Sequence, residues 1–565
     1  MGDFKGAECL ILSEFMVQSE KETKIVPKSE ENGEKQNGSE QNGAKKKGRN
    51  KNRPAPMKFE RKDKLCPTLN NVTEDKNPDE CVFPNCQFQH DTEKYLASKL
   101  PDIKDECHVF KTFGYCENGL SCRFGQCHIK DNKFNMNNSE NGITARSHEK
   151  NHLPKALKES LRKKKYEFNT DKLVDKFYRE REEALKKDEP EPEAKRIKVQ
   201  EGKIETNEAE VKKVDWKNKL YLAPLTTVGN LPFRRICKKY GADITCGEMA
   251  MTQQILQGHQ PEWALVQRHD SEDVFGVQLC GSQPHQFGRV AKLIEDGHID
   301  VDFVDLNLGC PIDLVYKRGM GSGLMARKKP LEIMIKSMTA IMNRPLTVKI
   351  RTGIYMDKRI AHNLAPNLFE WGADMVTLHG RSREQRYTKL ADWDYIGDVV
   401  KAVSPNPIYG NGDLINFEDY NLFKEKSGVS GSMLARGALI KPWVFTEIKE
   451  QRHWDISAQE RLQMIQDYVN YGLEHWGSDD KGVETTRRFL LEWLSFLHRY
   501  VPVGILKSPP QRMNERVPEF KGRNDLESLL ASPYCNEWIK ITEMFLGPVP
   551  DGFAFEAKHK AHGYK

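Results

Sequence analysis

The segment Phe303-Val-Asp-Leu-Asn-Leu-Gly-Cys-Pro311 decides the fold of the largest part of this 565-residue chain. Its first six residues form an apolar run that predicts a buried strand, and Gly309 to Pro311 end that strand abruptly. In a barrel of parallel strands, a reactive side chain at the carboxyl end of a strand faces the active-site mouth. Cys310 is therefore a candidate catalytic group, with a buried structural cysteine as the alternative. Gly319 to Gly323 then predict a mobile loop.

Seven further apolar runs lie on either side of this strand after about residue 215, with helical stretches between them. They are Leu220–Pro224, Ile244–Glu248, Val274–Leu279, Leu346–Ile350, Met375–His379, Pro407–Asp413 and Gly431–Arg436. Eight strands alternating with helices predict an α/β fold, a (β/α)8 TIM barrel. A doubly wound sheet is disfavoured because no Gly-x-Gly-x-x-Gly turn follows the first run.

Seven of the eight predicted strand ends carry polar groups. They are Pro224 to Thr226, Gln278, Asn307 with Cys310, Lys349 with Arg351, His379 to Arg381, Asn411 to Asp413, and Ala435 to Gly437. Each alone admits a structural role, such as Lys349 neutralising a buried carboxylate. Together they favour one active-site mouth, and the last two groups fit the phosphate site that this fold often builds there.

Bulk composition indicates folded parts joined by disordered segments. The net charge is +6 and 30% of the residues are charged, while the mean hydropathy is -0.70, which is low for a wholly globular chain. No apolar run approaches the ~18 residues of a membrane span, and no secretory or myristoylation pattern is present. We therefore expect an intracellular protein, in the cytoplasm, the nucleus or both, with no membrane partner.

Seven of the thirteen cysteines crowd into one segment with two histidines, which favours metal over disulfides in a reducing compartment. The predicted zinc ligands are Cys66, Cys81, Cys86 and His90 in a first unit, and Cys107, Cys116, Cys122 and His128 in a second. Cys127 is an alternative to His128. The pattern resembles the CCCH zinc fingers, which implies RNA binding, and Phe110, Phe113, Tyr115 and Phe124 beside Lys111 and Arg123 suit unstacked bases. These rings also suit a small hydrophobic core.

Composition divides the chain into six parts. These are a disordered basic tail (1–60), two CCCH-type zinc fingers (61–130), a charged and partly helical linker (131–213), the barrel (214–452), a helical domain (453–550) and a basic tail (551–565). In the helical domain, Phe489, Trp493, Phe496, Leu497 and Tyr500 share one face and predict its core. Arg487, Arg488, Arg499, Lys507, Arg512 and Arg516 are predicted to line a phosphate track.

Residues 219 to about 450 resemble the tRNA-dihydrouridine synthases, flavin enzymes that reduce uridine in tRNA. Asn307-Leu-Gly-Cys-Pro311, His379-Gly-Arg381 and Asn411-Gly-Asp413 match the family motifs without alteration. Ala223-Pro-Leu-Thr226 stands close to the family's Ala-Pro-Met motif, with Leu225 in place of Met. The fingers in front of the barrel resemble those of the eukaryotic subfamily that acts on position 47 of the variable loop.

The resemblance implies an FMN- and NAD(P)H-dependent enzyme that reduces the C5–C6 bond of that uridine, leaving mRNA uridines open as further substrates. Cys310 is implied as the proton donor, since an ordinary thiol with a pKa of about 8.5 is mostly protonated at neutral pH. The implied FMN contacts are Pro224, Leu225, Thr226, Gln278, Lys349, His379, Asn411, Gly412, Asp413, Ala435 and Arg436. Asn307 and Arg351 are the implied contacts to the target base.

Lys349 is implied to lie near flavin N1 and O2, where a cation favours reduction. The helical domain is implied to bind tRNA, and no obligate protein partner is implied. Two other functions remain open at this stage: a CCCH RNA-binding protein with an inactive barrel, and a flavin barrel acting on small molecules such as free pyrimidines.

Overall fold

The structure, a computed structural model, describes residues 8–17, 54, 57–74, 81, 83–139, 142–187 and 213–558. Eight parallel strands form its central barrel: β1 Leu220–Leu222, β2 Ile244–Cys246, β3 Val274–Cys280, β4 Phe303–Asn307, β5 Leu346–Arg351, β6 Met375–His379, β7 Ile408–Asn411 and β8 Gly431–Leu434. Each strand pairs with the next along the chain, and β8 pairs with β1 to close the ring. The predicted (β/α)8 TIM barrel is confirmed.

The helices fall into four groups: those of the finger segment, of the segment that follows it, of the barrel and of the helical domain. The finger segment contains α1 Pro67–Asn70, α2 Thr92–Ser98 and α3 His108–Phe113. The segment that follows contains α4 Lys155–Arg162 and α5 Asp171–Lys187. Around the barrel they are α6 Leu231–Lys239, α7 Thr252–Leu256, α8 Gln260–Trp263, α9 Pro284–Glu295, α10 Asp313–Tyr316, α11 Lys328–Ile341, α12 Ala361–Glu370, α13 Trp393–Val403, α14 Phe417–Ser427, α15 Arg436–Ile440 and α16 Val444–Glu450. The helical domain contains α17 Ala458–Trp476, α18 Asp480–Leu497, α19 Asp525–Ala531 and α20 Cys535–Leu546.

The lower half of the barrel interior is filled by aromatic rings. Tyr221, Phe303 and Tyr409 are fully buried, and Trp216 closes the bottom by packing edge-on against Phe303. A Cβ at Gly276 would lie 2.2 Å from the Phe303 ring, so this strand position has room only for glycine. Because apolar rings fill the lower half, the inward-pointing polar residues are confined to the upper half, at the carboxyl ends of the strands.

The helical domain packs directly on the barrel. Trp493 in α18 donates its indole N–H to the Leu439 carbonyl at 3.0 Å, and its ring contacts Phe233 of α6. Trp493, Phe496, Leu497 and Tyr500 are buried as predicted, while Phe489 is half-buried and stacks on Trp476. The predicted core face of this domain is therefore confirmed.

Residues 142–187, which we call the strap, lie within the predicted linker but pack against the barrel. Leu157, Leu161 and Val174 are buried, and Arg181 of α5 pairs with Glu332 of α11 at 2.7 Å. Few apolar residues spaced along two amphipathic helices are enough to dock them, because the barrel supplies the opposing surface.

Residues 8–17 depart from the prediction of a disordered tail over 1–60. The Cys9 amide donates to the Arg516 carbonyl at 2.9 Å, and Cys9 and Ile11 are buried against Ile505 and Phe520 of the helical domain. An apolar stretch of this length is enough to dock a peptide on a complementary face. The basic run of this tail, Lys45 to Arg53, lies outside the described residues. Over the described ranges, no helix combines the length and apolar character needed to cross a bilayer.

Candidate active site and metal centres

A cavity opens at the carboxyl ends of the barrel strands, and most of the predicted site residues line it. Those that do are Pro224, Leu225, Lys349, Arg351, His379, Asn411, Gly412, Asp413, Ala435 and Arg436. Strand pairing explains the convergence, because Arg351 is in register with His379 and His379 with Asn411. Thr226 is exposed and does not line the cavity, while Gln278, Asn307 and Cys310 lie beside it on β3, β4 and the turn after β4.

Cys310 lies in a tight turn held by hydrogen bonds. Its amide donates to Asn307 Oδ1 at 2.9 Å, and its carbonyl accepts from the Ser322 hydroxyl at 2.8 Å. The side chain is 9% exposed, and burial raises the pKa of its thiol above the ordinary value in spite of the Arg351 charge nearby. The thiol is therefore protonated at neutral pH and can act as a proton donor.

The glycine loop after this turn is packed rather than open. Residues 320–325 are buried, and a Cβ at Gly321 would lie 2.9 Å from Cys310 Cβ. Gly321 also has a φ of +55°, which favours glycine. The prediction of a mobile loop over Gly319–Gly323 is thus wrong for Gly321 to Gly323, because the Ser322 hydrogen bond and the close approach at Gly321 fix them against Cys310.

A buried chain of hydrogen bonds supports the turn from below. Asp305 is fully buried and accepts from the Gln278 amide at 2.7 Å and the Thr347 hydroxyl at 2.6 Å. Gln278 in turn accepts from Asn307 Nδ2 at 2.7 Å, and Asn307 Oδ1 accepts the Cys310 amide. The side chains of Gln278 and Asn307 therefore position the cysteine turn.

Cations outnumber carboxylates around the cavity. Lys349, Arg351 and Arg436 line it together with a single carboxylate, Asp413, among the described lining residues. Burial and the Arg351 charge lower the pKa of Lys349 to about 8, and burial with the neighbouring cations lowers the pKa of His379 well below its usual range. An excess of positive charge at this depth is typical of a site for an anionic ligand.

The Asp413 carboxylate, at the edge of the cavity, is bound by two arginines. It accepts two hydrogen bonds from Arg381 Nη2, at 2.7 and 2.8 Å, and one from Arg436 at 2.9 Å. The Ala391 amide donates to it as well, at 2.8 Å. Arg436 also lies over the Tyr387 ring, 4.3 Å from its centroid, so its guanidinium is fixed before any ligand binds.

The sequence indicated some of the remaining site residues but not others. Asp305 and Arg381 lie within the motifs that marked the site, so their spacing was visible although their positioning roles were not. Tyr387 comes from the loop after β6, and Met513 reaches the cavity from the helical domain. No sequence pattern announces these two, because their proximity arises from packing between distant segments.

Comparison with known proteins agrees with this geometry. Residues 221–498 match the family model described as Dihydrouridine synthase (Dus). This chain belongs to the dihydrouridine synthase family. It is 52% identical over 537 residues to a Xenopus tropicalis protein named tRNA-dihydrouridine(47) synthase [NAD(P)(+)]-like, covering 91% of this chain and 83% of that protein. A Homo sapiens relative of the same name is 48% identical over 553 residues, covering 91% and 84% of the two chains.

An Oryza sativa relative of the same name is 41% identical over 589 residues, covering 86% of this chain and 84% of its own length. Family membership makes the chain an enzyme, an oxidoreductase of the dihydrouridine synthase type. Family membership therefore argues against the hypothesis of an RNA-binding protein with an inactive barrel, which the sequence had left open.

Two clusters of cysteine and histidine form in the segment that precedes the barrel in the sequence, as the ligand spacing predicted. Cys66, Cys81, Cys86 and His90 form one, and Cys107, Cys116, Cys122 and His128 form the other. In each cluster, one ligand atom of every member lies within 4.8 Å of those of the others. Three thiolates and one imidazole at this spacing match the donor set and size of a tetrahedral zinc site.

His128, not Cys127, faces the second cluster. His128 is fully buried, and its Nδ1 lies 2.9 Å from Asn135 Oδ1, an acceptor that favours the tautomer in which Nε2 is free to bind a metal. Nε2 is buried without a hydrogen-bond partner among the described residues, as expected for a metal-binding nitrogen. Cys127 is exposed, and its Sγ contacts the Phe124 carbonyl instead.

The second finger is attached to the helical domain by polar contacts at the turn between α17 and α18. Arg123 pairs with Asp480 at 2.7 Å, and its amide donates to the Ser478 carbonyl at 2.8 Å. Glu474 bridges two units, accepting from His108 of the finger at 2.7 Å and from Arg235 of α6 at 2.5 Å. The finger, the barrel and the helical domain therefore meet at one junction.

Several residues predicted to touch RNA have structural partners instead. Phe124 is buried, Phe110 and Phe113 pack against the core, and Arg123 is bound by Asp480. In the helical domain Arg487 is 2% exposed and donates to the Leu546 and Gly547 carbonyls. The prediction of a phosphate contact is wrong for Arg487. Its guanidinium lies inside the domain and donates to the carbonyls at the end of α20, which have no hydrogen-bond partner within their own helix.

Proposed function

We propose that this protein is an FMN-dependent tRNA-dihydrouridine synthase that reduces uridine 47 of the variable loop at the expense of NAD(P)H. The observation that carries the proposal is the cationic cavity of Lys349, Arg351 and Arg436 beside a protonated Cys310. The printed names of its relatives give tRNA, position 47 and NAD(P) for those proteins. The small-molecule alternative lacks a use for the two fingers.

The residues of the cavity fit FMN. Its phosphate is an anion, and Arg436, fixed by Asp413 and Tyr387, offers a preorganised guanidinium for it. Lys349 would supply a cation to the negative charge of a reduced flavin; burial and the Arg351 charge lower its pKa to about 8, against the opposing effect of Asp305. The chemistry that FMN would supply when bound is hydride transfer, from NAD(P)H and then to C6 of the uracil ring.

Cys310 completes the reduction by donating its Sγ proton to C5 of the same ring. The S–H bond breaks as the C5–H bond forms, and the resulting thiolate regains a proton from solvent. Burial keeps the thiol protonated before the step, and the Arg351 charge favours the thiolate after it. Burial thus stabilises the thiol, the reactant of the proton transfer, and Arg351 stabilises the thiolate, its product.

Asn307 and Arg351 hold the cysteine for that step. Arg351 donates to the Gly309 carbonyl at 2.6 Å and to the Ser382 carbonyl at 3.0 Å, while Asn307 binds the amides of Gly309 and Cys310. Their predicted contact with the target base remains a proposal. It requires the second N–H of Asn307 Nδ2, since the first is donated to Gln278, or a further N–H of Arg351.

The fingers would hold zinc, with His128 as the fourth ligand of the second, and would contribute to RNA binding. Because the target base is stacked inside a folded RNA, it must be turned out to reach the cavity, at a cost of a few kcal/mol. Phosphate contacts elsewhere on the protein supply that energy. Exposed Lys507 and Arg516 in the helical domain remain the proposed contacts there, while Arg512 is paired with Asp419.

The experiment is to purify the full-length protein and measure three quantities: bound FMN by absorbance and mass spectrometry, zinc per chain, and dihydrouridine formed at position 47 of an unmodified tRNA with NADPH. A colourless protein, or turnover on free uridine but not on tRNA, would contradict the proposal. Uridine-containing mRNA fragments tested in parallel decide whether mRNA is a substrate. We also propose that the protein resides in the cytoplasm, the nucleus or both, and fluorescence imaging of the tagged protein in cells tests this.

A further inference from the structure

A second, larger cavity lies between the strap and the outside of the barrel. It has a volume of about 1090 Å³, larger than pockets that enclose one small molecule, which run to ~1,000 Å³. The strap side is formed by the segment from Leu161 to Lys172, and the barrel side by α7 and α9. We call this cavity the strap groove.

The walls of the strap groove are fixed by contacts on both sides. Arg289 of α9 donates to both carboxylate oxygens of Asp171, and the Tyr166 hydroxyl donates to Asp296 at 2.6 Å. Asn151 donates to the Val266 and Asp300 carbonyls further along the strap. The groove is therefore a preformed feature of the fold.

Positive charge dominates the lining. Four cations line the groove, namely Arg162, Lys164, Lys172 and Arg289, against one carboxylate among the described lining residues, Asp171. Asp171 is already bound by Arg289. In the part of the chain that the structure describes, Arg162, Lys164 and Lys172 belong to no ion pair, although other strap cations, such as Lys163 with Glu159, do. Unpaired cations grouped along one cavity match a run of phosphates.

Rings and amides occupy the space between these charges. Tyr166 and Phe168 are half-buried, with centroids 4.8 Å apart, and each packs one part of its ring against the core while the rest lines the groove. Gln253, Gln257 and Gln286 face them from the barrel wall. Half-exposed rings provide stacking surfaces, and side-chain amides can both donate to and accept from base edges. Such a combination suits unpaired nucleotides better than a protein segment or an isolated anion.

One end of the groove, at α7 and the start of α9, lies at the same end of the barrel as the cysteine, while Tyr166 lies near the other end of α9, where its hydroxyl donates to Asp296. Helix α9 begins at Pro284, directly after β3 ends at Cys280, and α7 begins directly after a short strand, Ala250–Met251, that pairs with the end of β3. The hydroxyl of Thr252 donates to Gln286 Oε1 at 3.0 Å, which links α7 to α9 within the barrel side of the groove. β3 is also the neighbour of β4, which carries the Cys310 turn.

We infer that the strap groove binds the backbone and unpaired bases of the RNA substrate, outside the mouth that receives the target uridine. The inference rests on the proposed function and adds a contact surface to it. In this view the strap is part of the substrate site as well as a connection between the fingers and the barrel.

The test compares two double variants of the full-length holoenzyme. Lys164→Gln with Lys172→Gln removes two charges from the groove. Lys401→Gln with Lys424→Gln removes two from the ends of α13 and α14, at the opposite end of the barrel. For each we would measure the Kd for tRNA between 50 and 200 mM salt, KM for tRNA and NADPH, kcat, and FMN content. A third variant, Phe168→Leu, removes a ring without changing charge.

The groove variant should bind tRNA about tenfold more weakly, and its salt dependence should be less steep by roughly 1.4 to 1.8, as expected for two lost phosphate contacts. Its kcat at saturating tRNA, KM for NADPH and FMN content should equal those of the control variant, and Phe168→Leu should weaken tRNA binding without changing the salt slope. Equal tRNA affinity in the groove and control variants would overturn the inference. A higher KM for NADPH with unchanged tRNA binding would instead assign the groove to the dinucleotide. Failure of the wild-type protein to form dihydrouridine would count against the proposed function, independently of these comparisons.

Discussion

The hydroxyl of Ser478, in the turn between α17 and α18, lies 3.0 Å from Cys122 Sγ in the second finger. The same oxygen is 3.3 Å from Cys116 Sγ, and Ser478 is fully buried. A helical-domain residue thus donates a hydrogen bond to a proposed zinc ligand more than 350 positions away in the sequence. Such outer contacts stabilise thiolate ligands and orient them.

Replacing Ser478 by alanine should lower the zinc affinity of the second finger by about tenfold, since losing an outer-shell partner typically costs 10- to 100-fold. Chelator competition on the purified protein measures it, and the first finger serves as an internal reference. Ser495→Ala, which removes another buried serine of the same domain, is the control. Zinc loss that is equal in the two variants would reduce the effect to general destabilisation.

Replacing Cys310 by alanine should reduce dihydrouridine formation by about 10²- to 10⁴-fold, the usual contribution of a general acid. Bound FMN and the rate of NADPH oxidation should remain, because the thiol is proposed to act on the uracil and not on the cofactor. Cys280→Ala, a buried cysteine at the end of the adjacent strand, should keep its turnover. Normal product yield from Cys310→Ala would remove the thiol from the reaction.

The pKa of Cys310 also predicts a pH profile. Only the thiol form donates, so the rate of the reduction step falls as pH rises through this pKa. Burial raises that pKa above the ordinary value of a thiol, and the single-turnover rate should therefore stay level around neutral pH and fall only in more alkaline solution. A decline centred near pH 7 would show that the thiol ionises too easily for this role.

Lys349 predicts a pH dependence of cofactor binding. Its pKa is about 8, so the cation is present below pH 8 and is lost as pH rises through that value. An anionic ligand raises the pKa, and binding therefore takes up a proton. FMN affinity of the apoprotein should fall between pH 7 and 9 in titrations followed by flavin fluorescence. Lys349→Arg should retain affinity at pH 9, and a decline as steep as that of the wild type would point to a different group.

Two buried asparagines separate stability from catalysis. Asn307→Ala leaves the Cys310 amide without its acceptor, and Asn416→Ala removes the N-cap of α14 and its bond to the Gln511 carbonyl. Each should lower the free energy of unfolding by roughly 1 to 3 kcal/mol in urea titrations. Only Asn307→Ala should also lower turnover per folded molecule. If Asn416→Ala reduced turnover to the same extent, the Asn307 bonds would have no specific role at the cysteine.

The barrel and most of its mouth could be predicted because both follow from local pattern. Apolar runs that end in polar residues mark parallel strands, and strand ends share one face in this fold. Lys349, His379 and Asn411 were placed together on that basis alone, and they line one cavity. The zinc clusters were equally visible, since ligand spacing within a short segment limits which residues can meet.

The sequence predicted less accurately which cationic side chains contact RNA and which bind other residues of the protein. Arg487 and Arg123 have the composition of RNA contacts, yet one satisfies the end of α20 and the other pairs with Asp480. The choice of His128 over Cys127 depends on Asn135 holding the imidazole. Nothing in the local sequence distinguishes a cation facing solvent from one with a buried partner, because the partner comes from a distant segment.

The sequence by itself determined the pattern of eight strands, the cysteine turn and the two sets of metal ligands. Each of these follows from residue type and spacing along the chain. Tertiary structure alone decided that Asp413 holds Arg436, that the strap forms a groove with the barrel, and that Ser478 reaches Cys122. These contacts join surfaces whose shape and charge exist only after each element has folded. Periodicity along the chain carries no record of them.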